Sequence, residues 1–167
     1  METALCLGSN TGDRLRTLQQ ARDALVAIEG TAALAQSPVY ETDPVGVREQ
    51  YADLAFLNAV LVLESALSAE ALSTAMHAIE DRLGRVRSED RYAPRTIDID
   101  MLYAADRQSD DPRLILPHPR WDTRRFVVQP LADVRPDLVL PDQRCTVREI
   151  LAGLPASPAA RLYTHDW

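Results

Sequence analysis

Two carboxylates two residues apart, Asp98 and Asp100, stand in a run that alternates polar and apolar side chains, Thr96-Ile97-Asp98-Ile99-Asp100-Met101-Leu102-Tyr103. Alternation of period two predicts a half-buried strand over 96–103. Both carboxylates then leave one face of that strand, with Cα atoms about 6.5–7 Å apart, while Ile97, Ile99 and Met101 turn to a core. Neighbouring like charges need compensation, which arginine or Mg²⁺, a hard cation that takes oxygen ligands, can supply. Carboxylates so spaced can share two metal ions about 3.5–4 Å apart, an arrangement suited to displacement at phosphorus. A D-x-D triplet is weak by itself, and its surroundings give it weight.

Those surroundings are basic. All 18 basic residues of the chain are arginine, and Arg82, Arg85, Arg87, Arg91 and Arg95 crowd the stretch just before the triplet, against Glu89 and Asp90. In a chain of net charge −7 such an island points to a local anionic ligand, and guanidinium suits phosphate because it binds two oxygens at once. The absence of lysine closes the Walker-type route to ATP and any Schiff-base chemistry. The acidic balance argues against a general nucleic-acid binder. Cys6 and Cys145 lie far apart and make no metal-ligand spacing; both are expected to pack as small hydrophobes in a reducing compartment.

Elements must hold these groups in place. Thr3 to Leu7 reads as a strand ending at Gly8, and Ser9-Asn10-Thr11-Gly12 as turn chemistry with caps for a helix bearing Leu15, Leu18, Leu25 and Ile28. Residues 32–41 read as a strand bent at Pro38. Residues 43–55 form a polar loop, and Phe56 to Glu64 a strand. Ser68 caps a helix with Leu72, Ala75, Met76, Ile79 and Leu83 on one face. The Arg-rich residues 85–95 form a second long loop. Residues 106–113 are turn-like, and Leu114 to Leu116 form a short strand. Arg124 to Val134 is expected as two helical pieces, the second started by Pro130. Thr146 and Glu149 have capping-box spacing for a last short helix. The order β-α-β-β-α-β in 167 residues predicts one α+β domain, a mainly antiparallel, ferredoxin-like sheet with helices packed on it. Loops as long as the two noted here are usually functional. The apolar run at the N-terminus is short and lacks a basic lead-in, and Asn58 interrupts the longest apolar stretch. The expectation is therefore a cytoplasmic protein without a membrane span.

The twelve residues Arg91-Tyr92-Ala93-Pro94-Arg95-Thr96-Ile97-Asp98-Ile99-Asp100-Met101-Leu102 resemble the signature of the 6-hydroxymethyl-7,8-dihydropterin pyrophosphokinases. Further landmarks follow in that family's order. They are Leu7-Gly8-Ser9-Asn10, Tyr40-Glu41-Thr42, Phe56-Leu57-Asn58-Ala59-Val60, Glu80, Gly84-Arg85-Val86-Arg87, Leu116-Pro117-His118-Pro119 and Arg124-Arg125-Phe126 with Pro130-Leu131. The resemblance spans roughly residues 5–141. It departs at Tyr92, where the family often has tryptophan, at Ser88, often charged, and at Asp43, where some members have proline.

The resemblance implies a three-layer α/β/α build and transfer of pyrophosphate from Mg·ATP to the pterin alcohol in folate synthesis. Asp98 and Asp100 are then the ligands of two Mg²⁺, with Arg85 and Arg95 as catalytic cations. Glu80, Arg85, Arg87, Tyr92, Arg95, His118 and Arg124 attend the nucleotide. Phe56 and Phe126 sandwich the pterin, Asn58 bonds its edge, and Thr42, Asp43 and Val45 assist. The expected partners are ATP and a reduced pterin, with no nucleic acid or membrane, and the expected state is a monomer. A flat heterocycle with a row of donors and acceptors matches two rings and a carboxamide. Taken singly, each phenylalanine also fits a plain core position, and His118 a plain turn. Two rivals are a nucleotidyl transferase or cyclase, which leaves the Phe-Asn set unexplained, and a non-catalytic binding module, which has no use for both carboxylates and the arginine loop.

Overall fold

The strand β1 (Glu2–Ser9) organises the molecule, because it is covered on both faces: Ala4, Leu5 and Leu7 have no exposed surface. The structure is a computed structural model and describes residues 1–44, 48–86, 90 and 93–167. Strand β1 pairs antiparallel with β4 (Phe56–Ser65) on one side and with β5 (Asp98–Ala104) on the other. Strand β2 (Thr31–Gln36) lies along the later part of β4, and β3 (Val39–Thr42) along its beginning. The sheet runs β5-β1-β4-β3 and ends on β8 (Ala160–Thr164), with β2 also on β4. A small hairpin of β6 (Ser109–Asp111) and β7 (Leu114–Leu116) stands apart.

Period-two alternation gives this sheet two different faces. On one, Leu5, Leu7, Leu61, Leu63, Ile99 and Met101 meet Leu18 and Leu25 of α1 (Arg14–Val26) and Leu72 and Ile79 of α2 (Ala69–Arg82). On the other, Ala4, Cys6, Val60 and Val62 meet Val127, Val128 and Leu131 of α3 (Arg125–Val134), on which α4 (Val147–Gly153) packs. Each fully buried leucine contributes about 1.5–3 kcal/mol of transfer free energy. The expected α+β, ferredoxin-like, three-layer arrangement is what forms.

Several local expectations change. Helix α3 is continuous through Pro130 instead of breaking there. Losing the hydrogen bond to the carbonyl four residues back costs about 3 kcal/mol, yet Val127, Val128, Pro130 and Leu131 are all buried on one face, and that burial holds the helix together. Helix α1 is capped by Asp13, whose carboxylate accepts from Arg16 N–H at 3.2 Å, and not from within 9–12. Cys145 is exposed, whereas Cys6 packs as expected. The turn-like residues 106–113 supply a strand, β6, and residues 43–55 contain a 3-10 turn at Glu49–Tyr51. Strand β8 has no forewarning in the sequence: the run Leu154-Pro155-Ala156-Ser157-Pro158 before it gives little periodicity, and its pairing with β3 is long-range. The bend at Pro38 forms as expected. Ser37 bridges it, its N–H donating to Val60 O and its hydroxyl accepting from Val60 N–H, both at 2.9 Å.

Candidate active site

One row of residues crosses four strands. Register places Asp98 opposite Gly8, Gly8 opposite Asn58, and Asn58 opposite Tyr40. The neighbouring positions of the same face carry Asp100 beside Cys6, and Phe56 beside Thr42. The sheet therefore aligns the paired carboxylates and the aromatic-amide set on one surface, the surface that α3 covers only in part. Between them opens a cleft of about 600 Å³. Thr42, Asp43, Phe56 and Asn58 line one part of it, with Phe126 from the first turn of α3. Asp98, Asp100, Arg85, Arg95, His118 and Arg124 line the other.

The amide end is pre-set. Asn58 is buried, and its Nδ2 donates to the Thr42 hydroxyl at 2.8 Å, which fixes the plane of the carboxamide. Glycine opposite it leaves the amide room, because a Cβ at position 8 would stand 3.1 Å from Asn58 Oδ1, a tight contact that the amide must yield to. Arg14 of α1 donates to Ala55 O at 2.8 Å and pairs with Glu41 at 2.9 Å, so the approach to Phe56 is tied to the opposite layer. The Arg124 guanidinium lies over the Phe126 ring, 5.6 Å from its centre.

The charged end is unevenly balanced. Asp98 is paired twice, with Arg85 at 2.6 Å and with Arg95. Arg85 also pairs with Glu80, which has no exposed surface and whose Oε1 accepts from Ile99 N–H at 2.8 Å. Glu80 thus stands behind Arg85 and braces β5, away from the cleft wall. Burial alone would lower the Arg85 proton affinity, but Asp98 and Glu80 outweigh it and raise it. Asn10, itself buried, holds Arg95 by its backbone: Asn10 Oδ1 accepts from Arg95 N–H at 2.7 Å, and Asn10 N–H donates to Arg95 O at 3.2 Å.

Asp100 forms no ion pair among the described residues. Burial first, and the adjacent Asp98 charge second, push its carboxyl up to about 6. On the far wall, burial and then the Arg120 charge lower the proton affinity of Arg124. Burial, Arg124 and Arg120 likewise lower that of His118. His118 Nδ1 accepts from Arg120 N–H at 3.2 Å, so the neutral ring carries its proton on Nε2 and can donate it.

Two carboxylates, one of them half-buried and without an ion-pair partner among the described residues, are an oxygen-only donor pair that fits Mg²⁺. No group of three His, Cys, Asp or Glu closes a cage around them among the described residues, so the remaining ligands must be waters and phosphate oxygens, as Mg²⁺ sites usually have them. Arg87, Tyr92 and Val45, also expected here, lie outside the described residues. Sequence reasoning did not single out Gly8, Arg120, Thr123, Arg125 or Pro158, all of which line the cleft. Gly8 and Arg125 stand within landmark motifs and were legible; Pro158 arrives only through the pairing of β8.

The family model described as 7,8-dihydro-6-hydroxymethylpterin-pyrophosphokinase (HPPK) matches residues 4–136. A 2-amino-4-hydroxy-6-hydroxymethyldihydropteridine pyrophosphokinase of Pseudomonas aeruginosa is 40% identical over 158 residues, covering 95% of this chain and 94% of that protein. The enzyme of the same name from Methylorubrum extorquens is 43% identical, covering 95% and 96%. The fold is also that of the Plasmodium falciparum HPPK-DHPS crystal structure, with a TM-score of 0.68 at 14% identity over 90% of this chain and 44% of that longer one. On this sequence coverage and this fold, the chain belongs to the 7,8-dihydro-6-hydroxymethylpterin pyrophosphokinase family.

Proposed function

We propose that the cleft carries out the family's reaction: ATP and 6-hydroxymethyl-7,8-dihydropterin give AMP and the pterin diphosphate. The observation that carries this is the shared sheet face, which turns Asp98 and Asp100 and the Phe56-Asn58 pair into one cleft. The heterocycle lies between Phe56 and Phe126, with its polar edge on Asn58 and its hydroxymethyl group toward the carboxylates. Thr42 orients the amide, and Asp43 and Val45 border the ring. The triphosphate lies over Arg85, Arg95, His118 and Arg124, with Arg87, Tyr92 and Glu80 in support.

Asp98 and Asp100 would hold two Mg²⁺, which when bound would supply neutralisation of the phosphate charge. Arg85 and Arg95, released from Asp98, turn their donors to phosphate oxygens and stabilise the charge that builds on the departing α-phosphate. His118 donates from Nε2 without adding charge. The pterin hydroxyl attacks the β-phosphorus in line. Positioning and charge neutralisation supply the catalysis, and no side chain is assigned as general base.

The reading also makes the chain one domain and a monomer of the cytoplasm, with small-molecule partners and neither nucleic acid nor membrane. Its net charge of −7 speaks against a nucleic-acid partner, and no helix among the described residues is long and apolar enough to cross a membrane. Chromatography of a quenched reaction tests the chemistry. AMP should form in step with the pterin diphosphate and without transient ADP; pterin-dependent ADP, or no turnover with both substrates present, overturns the reading.

A further inference from the structure

The segment after α4 turns back to the cleft and is fastened on both sides of it. Arg125, the first residue of α3 and neighbour of Phe126, reaches away from its own helix. Its Nε donates to Pro155 O at 2.7 Å, and its outer nitrogen donates to Leu154 O at 2.8 Å and Leu151 O at 3.3 Å. Those carbonyls lie at and just beyond the C-terminus of α4, where a guanidinium is well placed against the helix dipole. Beyond them the chain pairs with β3, Thr42 opposite Ala160 and Glu41 opposite Arg161, and Arg161 binds Asp43 at 2.5 Å. Farther on, Trp167 is buried, its indole N–H on Ser37 O at 2.7 Å. Between the two fastenings Pro158 forms part of the cleft wall, on the side of Thr42, Asp43 and Phe126. None of this arm, residues 155–164, falls within the 4–136 that match the family model.

We infer that this C-terminal arm is a wall of the heterocycle compartment, with Arg125 and the Asp43–Arg161 pair as positioning residues and Pro158 as the surface that meets the pterin. Arg125 couples the arm to Phe126 through one peptide bond, so the stacking ring and the wall are set by one side chain. Asp43 couples it to the strand that orients Asn58 through Thr42. A proline with a fixed φ offers an apolar surface that loses little freedom on binding. The arm lies at the ring end of the cleft, away from Asp98 and Asp100, so it acts on the pterin and not on the nucleotide. The inference rests on the pterin's place between Phe56 and Phe126.

Steady-state kinetics of the whole chain decide it, together with fluorescence titration of the pterin in the presence of a non-hydrolysable ATP analogue. Arg125→Ala should raise the pterin KM about tenfold, the scale of losing one set of charge-assisted hydrogen bonds, with ATP KM and kcat within about twofold. Arg161→Asp should do likewise, and adding Asp43→Arg to it should recover pterin affinity; the split between pterin KM and ATP KM is the readout that a purely structural role does not predict. Pro158→Gly keeps the question answerable if Arg125→Ala fails to fold, since position 158 is at the rim, and it should weaken pterin several-fold. Unchanged pterin affinity in Pro158→Gly, or equal loss for both substrates in the foldable variants, overturns the arm while leaving the reaction intact. Absence of pterin turnover in the unaltered chain overturns the functional reading and the inference with it.

Discussion

At the scale of single residues the cleft contrasts two carboxylates that differ only in surroundings. Asp98 shares two guanidinium groups, whereas Asp100 stands half-buried beside it without an ion-pair partner among the described residues. Replacement by asparagine preserves volume and removes charge. Asp100→Asn and Asp98→Asn should each cut Mg²⁺-dependent turnover by at least about a hundredfold, with the melting temperature held or raised for Asp100→Asn because a desolvated charge is removed. Near-normal turnover in both, measured over a Mg²⁺ titration, would remove the pair from the metal site. Gly8 makes a different demand. Its alanine variant places a methyl 3.1 Å from Asn58 Oδ1, and Thr42 blocks retreat on the other side. The expected result is a several-fold higher pterin KM with ATP KM unchanged. Equal loss for both substrates in the same assays would place the damage in the fold and not in the amide. The paired aspartates and the lone amide in an apolar strand were legible because such residues are expensive to bury without a use. The twofold pairing of Asp98 was not legible, because Arg85 comes from another element and no local spacing encodes it.

At the scale of elements, caps and clamps decide where the charged groups stand. The expected role of residues 9–12 was to start a helix, but Asn10 instead grips the backbone of Arg95, eighty-five residues on, and Asp13 takes the cap. A side chain that bonds backbone serves either purpose, and sequence alone does not choose between them. The clamp has a measurable consequence. Asn10→Ala removes the partly buried hydrogen bond that fixes the Arg95 backbone, so kcat should fall about tenfold while ATP KM moves little, if Arg95 acts most strongly in the transition state. Single-turnover and steady-state rates on the purified variant, with a circular-dichroism check of fold, test it; unaltered kcat would show that the Arg95 position does not depend on the clamp. Helix α3 teaches the converse. Pro130 is a strong local signal, yet the buried face of that helix overrides it.

At the scale of the molecule, the order β-α-β-β-α-β foretold a ferredoxin-like sheet with helices packed on it, and the family resemblance implied the three layers. Strand β8 escaped because edge pairing between distant segments leaves no periodic trace, and the cleft wall that it carries escaped with it. One long-range network joins the layers away from the cleft: Glu2 accepts from Arg135 at 2.8 and 3.0 Å and from the Tyr103 hydroxyl at 2.7 Å. Arg135, first, and Tyr103 hold the Glu2 carboxyl below its ordinary 4.5 against the opposing effect of burial. A depressed carboxyl stabilises the fold above its unfolded-state value and loses that contribution as pH falls through the folded one. Thermal melts of Glu2→Gln should therefore fall below the unaltered chain at pH 7, by less than about 1 kcal/mol because the side chain is about one-third exposed, and converge with it as pH falls below 4.5 and through the lowered folded-state value. A constant difference down to pH 3 would assign the effect to packing. The row Asp98, Gly8, Asn58 and Tyr40 has a consequence of another kind. It makes the reaction a ruler of strand register. Loops on either side of the sheet can lengthen or shorten without disturbing that row, but a single residue inserted or deleted within β1 or β4 exchanges the two faces. A one-residue insertion ahead of Asn58 puts Leu57 where the amide stood, and a slip in β1 sets Leu7 against Asp98. Variation in length among working descendants of this chain is thus confined to its connections, and frame-preserving insertions scanned along the sequence should map the strands by loss of activity alone.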